Sequence, residues 1–123
     1  MFNARNLAVA VLALRVAYGA ALIAAPERLA RRWLGPDASR AATQIPLRAL
    51  GTREILLHAG GLVAARRAAP LRPWFAASIA GDVTDIAATL AGRAGLPRGS
   101  APATAVVAGG SALVSAVLAA SAP

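Results

Sequence analysis

APATAVVAGGSALVSAVLAA, residues 101–120, is a run of apolar and small side chains, and no charged residue follows Arg98. The hydrocarbon core of a bilayer is about 30 Å thick and is crossed by about 20 helical residues. A surface helix of a water-soluble domain needs a polar face, and this stretch has none. It therefore predicts a transmembrane helix. Ala105, Gly109, Ala112 and Ala116, with Ser111 and Ser115, recur at helical spacing; small residues of this kind let membrane helices pack closely. Gly109-Gly110 predicts a packing point or a bend.

The rest of the chain agrees with that reading. Its 123 residues are 58% hydrophobic and 15% charged, with a mean hydropathy of +0.60. A typical soluble domain carries about 25% charged residues. The absence of Cys excludes a secreted disulfide scaffold, and the hydrophobic content excludes a disordered chain. All 13 basic residues are Arg, against 5 acids, for a formal charge of +8. They are scattered through every segment, and 4% aromatic residues offer little for base stacking, so no nucleic-acid partner is expected. Arg in the connections instead sets topology and meets anionic lipid.

Three further spans precede the last. The first covers residues 7–25 and stops at Pro26, with Asn3 or Asn6 as its cap. Arg15 in its middle argues against a signal peptide, whose apolar region is uncharged. The second covers residues 44–65, with Pro46 in its first turn, where a missing N–H is harmless. The third covers residues 71–92, with Pro73 near its start and Gly92 at its end. Between the first two spans, Leu29 and Trp33 interleave with a basic run and predict a short amphipathic helix at the interface. Trp33 and Trp74 then mark opposite membrane surfaces, as aromatic belts do. The expected fold is all-α: one integral membrane domain, a four-transmembrane-helix bundle with an interfacial helix between helices 1 and 2. An even number of spans puts both termini on one side. The Arg count favours that side being outside, whereas a short basic N-terminus favours inside.

The informative feature is charge within the spans: Arg15, Arg48, Arg53, Glu54, Asp82 and Asp85, three of each sign. Depth is measured from the face shared by the termini. Arg15 lies roughly 13 Å deep, Arg53 and Glu54 roughly 17 Å, Asp82 roughly 15 Å and Asp85 roughly 20 Å. Isolated charges at that depth are costly, so they are expected to pair inside the bundle. Helical periodicity puts Ser78, Asp82, Asp85 and Thr89 on one stripe, and Gly51, Glu54 and His58 on another. Arg53 projects about 100° from Glu54. The simplest arrangement sets Asp82 and Asp85 against Arg15 and Arg53, with Gly51 allowing close approach. It predicts that Asp82→Ala or Arg53→Ala orphans a buried charge and strongly destabilises the chain. His58, four residues after Glu54, reads as a hydrogen-bonded core histidine; one His and scattered carboxylates are a weak metal signature, and no metal or cofactor is expected. Gly60-Gly61 reads as a packing site.

The run Arg48-Ala-Leu-Gly51-Thr-Arg53-Glu54, followed by Asp82-Val-Thr-Asp85, resembles the small bacterial and fungal four-helix membrane proteins of the "domain of unknown function 4267" type. More distantly it is similar to the DoxX-like four-helix proteins. The resemblance covers nearly the whole chain, including Ala25-Pro26-Glu27. It implies the fold and a multi-pass place in the bacterial inner membrane, and it brings no activity and no catalytic residues.

No serine-hydrolase elbow, phosphate loop, dinucleotide fingerprint or paired-His motif is present. Three classes of function remain. The first is a scaffold or accessory subunit whose ionic cluster orders the bundle, with the bilayer and a membrane partner or second copy as its company. The second binds or transports a small apolar molecule or lipid through a midplane polar pocket. The third is a membrane enzyme on an apolar substrate, with the acids as general acid and base.

Overall fold

A computed structural model describes residues 3–122. Among them the chain is all-α, with five α-helices and no strand. Helix α1 spans Ala4–Ala24, α2 Pro26–Leu34, α3 Ala41–Arg66, α4 Arg72–Ala91 and α5 Ser100–Ser121. Short 3₁₀ turns at Gly35–Ser39 and Arg93–Gly95 lie in the connections.

Local chemistry sets the boundaries. The Asn3 side chain caps α1 by accepting from the Arg5 backbone N–H at 2.8 Å. Pro26 opens α2, where its missing donor costs nothing. Glu27 in the first turn of α2 and Arg31 and Arg32 in the last complement the helix dipole. Gly35, at φ 66°, ends it in a conformation that a side chain resists. Helix α3 begins three residues before the expected start, so Pro46 stands inside the helix and not in its first turn. It removes one ladder hydrogen bond there.

The end of α3 follows a Schellman pattern with an unusual occupant. Ala68, at φ 53°, takes the left-handed position, while Ala69 N–H bonds the Ala64 carbonyl at 2.8 Å and Ala68 N–H the Ala65 carbonyl at 3.3 Å. A Cβ in that region is strained. Ala68→Gly is expected to stabilise the chain by about 1 kcal/mol, read as a raised Tm by circular dichroism. An unchanged or lowered Tm contradicts the assignment.

Helix α1 packs most extensively on α3, and α4 on α5; smaller contacts between α3 and α4 and between α1 and α5 join the pairs. The α1–α3 crossing is a glycine-to-glycine contact. A Cβ on Gly19 would stand 2.6 Å from the Gly51 carbonyl oxygen, and one on Gly51 would stand 2.6 Å from the Gly19 oxygen. Gly60 lies against the Trp74 ring and Gly61 against Leu12. Gly109 and Gly110 face open space, so the packing point expected at that pair is absent. A helix packs along one stripe, and on α5 that stripe carries Ala108, Ser115 and Leu118.

Helix α2 folds across one end of the bundle. Trp33 Nε1 donates to Thr89 Oγ1 at 2.9 Å, and Ser100 Oγ donates to the Trp33 carbonyl at 2.6 Å. The amphipathic helix expected around Leu29 and Trp33 is present, and the Trp33 ring is tied to α4. Ala30, Ala38 and Leu47 form an apolar layer at this end. A second layer, built on Ala8, Leu12, Phe75 and Leu118, fills the other.

Between these layers the distribution of polarity is inverted. Glu54, His58, Ser78, Asp82 and Ser115 are buried, while large apolar side chains face outward on every long helix: Leu14 is 69% exposed, Leu56 68%, Val83 53% and Val106 74%. By length and apolarity α1 and α5 qualify to cross a membrane. Helices α3 and α4 fall short on hydropathy because they carry the charged residues.

Candidate functional site

The centre of the bundle is organised by Arg15. Its guanidinium has five N–H donors in a rigid fork, and each finds an acceptor. Nε and Nη2 donate to the two carboxylate oxygens of Glu54 on α3, at 3.0 and 3.2 Å. Nη1 and Nη2 donate to the two oxygens of Asp82 on α4, at 3.2 and 3.0 Å. Nη1 also donates to the Ser111 hydroxyl on α5. One side chain thus binds all three other long helices, through two bidentate carboxylate pairs and a hydroxyl. Such charge-assisted pairs are about twice as strong as neutral hydrogen bonds.

The crossing geometry makes this reach natural. The two helices run antiparallel past the Gly19–Gly51 contact, with Arg15 one turn before Gly19 and Glu54 one turn after Gly51. Arg15 therefore faces Glu54 directly across a seam with no side chain to hold it open. The Glu54 and Asp82 side chains are 4% and 6% exposed, and that of Arg15 is 15%.

His58 lies one turn further along α3. Its Nδ1 is 2.7 Å from the Glu54 backbone carbonyl, which can only accept, so Nδ1 carries the proton. Nε2 is 2.9 Å from Ser78 Oγ, a hydroxyl that can donate to the neutral ring or accept from the charged one. Nδ1 also lies 3.4 Å from Glu54 Oε2, so the histidine braces the carboxylate that holds Arg15. Every buried side-chain nitrogen and oxygen among the described residues has a hydrogen-bond partner.

Arg53 and Asp85 form a looser pair outside this core. Arg53 Nη2 is 3.8 Å from Asp85 Oδ1 and 3.7 Å from Glu54 Oε1, with the two side chains 44% and 28% exposed. Gly81 makes room for the guanidinium against α4. The sequence expectation of a large loss from Arg53→Ala is revised downward, because the Arg53 side chain is half-exposed and its buried neighbour Glu54 keeps both hydrogen bonds to Arg15. Arg48 stands apart from the cluster altogether. It is exposed, and its Nε donates to the Ile23 carbonyl at 3.2 Å, one of the α1 C-terminal oxygens that have no partner within the helix. Its place on the helix explains this: six residues before Glu54 is about 120° away around the axis.

Ser78 was legible as part of the Asp82 stripe. Ser111 was visible as a small residue on α5, but nothing in the sequence distinguished it from Ser115 as the partner of Arg15. Two clefts open elsewhere: one of about 290 Å³ beside Glu27, Arg31 and Ser39, and one of about 330 Å³ beside Val9, Leu62 and Arg66. Among the described residues no three His, Asp or Glu side chains form a group able to hold a metal ion. No family model, curated protein or solved structure matches the chain.

Proposed function

We propose that the chain is a multi-pass protein of the bacterial inner membrane. In this reading α1, α3, α4 and α5 cross the bilayer and α2 lies at one surface. Its Arg15–Glu54–Asp82 centre acts as a structural lock, and the protein serves as a scaffold or accessory subunit. The observation that carries the reading is the inverted distribution: ionic and hydroxyl groups inside, large apolar side chains outside on all four long helices. Water would drive the reverse arrangement, whereas hydrocarbon tolerates exposed Leu and Val and requires polar groups to satisfy one another.

The scaffold role is favoured over ligand binding by saturation of the site. A pocket for a small molecule needs free hydrogen-bonding capacity beside the acids. The donors of Arg15 are all engaged, and they occupy both oxygens of Glu54 and of Asp82.

The membrane reading predicts the behaviour of the expressed chain in cell fractions. It is expected to remain in the membrane pellet after alkaline carbonate washing and to enter solution only with detergent. Recovery as a monodisperse monomer in detergent-free buffer overturns the proposal.

A further inference from the structure

The Arg53–Asp85 pair is left unfinished by its own chain. Both contacts of the Arg53 guanidinium with carboxylates, at 3.7 and 3.8 Å, are longer than hydrogen bonds. The two groups are partly exposed on the outward side of the α3–α4 seam, which is much less extensive than the α1–α3 and α4–α5 contacts. Arg53 has 12 helical residues before it and 13 after it in α3, counted from Ala41 to Arg66. At about 1.5 Å per residue it is roughly 18 Å from either end. That is too far inside for its side chain to reach a headgroup layer.

Resting on the membrane-spanning reading, we propose that this face docks a second copy of the chain, with Arg53 of each copy hydrogen-bonded to the partner's Asp85. The patch carries one charge of each sign side by side. A two-fold axis between them sets each charge against its opposite, so the patch is complementary to itself. A single-sign ligand would meet attraction and repulsion together. On the α4 side the exposed residues flanking Asp85 are Ala77, Thr84 and Ala88, which are small; on α3 the exposed Leu56, one turn after Arg53, supplies apolar surface to the same face. In the dimer each guanidinium exchanges two long contacts for hydrogen bonds to a carboxylate in a water-poor setting.

The test uses two differently tagged copies co-expressed and captured from detergent extracts of carbonate-washed membranes. Wild type is expected to capture wild type. Arg53→Asp with itself, and Asp85→Arg with itself, are each expected to lose about ten-fold or more of the captured signal. The Arg53→Asp chain with the Asp85→Arg chain is expected to recover it, because both intermolecular pairs again join opposite charges, one in the native sense and one reversed, while each chain on its own holds two like charges. A second measurement leaves the charges intact. The chain has no native Cys, so Thr84→Cys and Ala88→Cys are expected to cross-link in membranes while Val107→Cys, on α5, is not. Equal capture by all combinations, failure of the mixed pair to recover, or cross-linking that does not distinguish α4 from α5 overturns the dimer. A chain that stays in the washed pellet yet captures no second copy overturns the dimer alone. Absence from the pellet overturns the membrane reading beneath it.

Discussion

Arg15→Met is expected to cost about 3–5 kcal/mol, the range for removing one partner of a buried ion pair. Methionine keeps much of the apolar stem but strands two carboxylates. Glu54 and Asp82 lose both of their bidentate contacts to Arg15, and the Ser111 hydroxyl loses its donor. The carboxylates then have only the His58 contact and the distant Arg53 to offset their burial. Thermal unfolding in detergent, followed by circular dichroism, checks this. The decisive companion is the triple variant Arg15→Met, Glu54→Leu, Asp82→Leu. Replacing a whole buried ionic group by apolar side chains is often neutral or stabilising, so the triple variant is expected to regain most of the lost Tm. A single variant that melts like wild type refutes the lock. A triple variant no better than the single one shows that the cost lies in packing around Arg15 and not in stranded charge.

Gly51→Ala is the second large effect, and it acts through one methyl group. The added Cβ would meet the Gly19 backbone oxygen at 2.6 Å, Ile23 Cγ1 at 2.9 Å and Leu22 Cβ at 3.1 Å. A side-chain end can swing aside, but the Gly19 oxygen belongs to a helix ladder, so α1 and α3 must separate. Overpacking of this kind costs about 1–3 kcal/mol. The separation also pulls Glu54 away from Arg15. Gly110→Ala supplies the control: the same methyl enters open space and is expected to bring a small gain from helix propensity. Melting temperatures should therefore move in opposite directions. Equal shifts contradict the close α1–α3 contact.

How far the site was legible follows from which rule governs each residue. Burial on a helix obeys periodicity, so the Glu54–His58 and Ser78–Asp82 stripes could be read from spacing, as could the common depth of Arg15, Glu54 and Asp82. Pairing across helices depends on where the axes cross. That was only half visible: Gly51 announced a close approach, but Gly19 as its counterpart, and hence the direct meeting of Arg15 with Glu54, required the packed structure. Arg48 shows the limit most plainly. Its place in a charged run suggested membership of the cluster, yet it turns outward to a helix-end carbonyl. Composition fixes charge, and angle fixes company. Boundaries failed for a related reason at Pro46, where a ring that suits a first turn was carried further into a longer helix.

The chain order of the groups around Arg15 has a bearing on biogenesis. The cation emerges on the first of the four long helices, its two counter-ions on the second and third, and its hydroxyl acceptor on the last. In the membrane-spanning reading proposed above, α1 enters the bilayer with a guanidinium whose counter-ions arrive only with α3 and α4. The centre is closed only once α5 has supplied the Ser111 hydroxyl, so a chain stopped before α5 leaves an Arg15 donor without its acceptor.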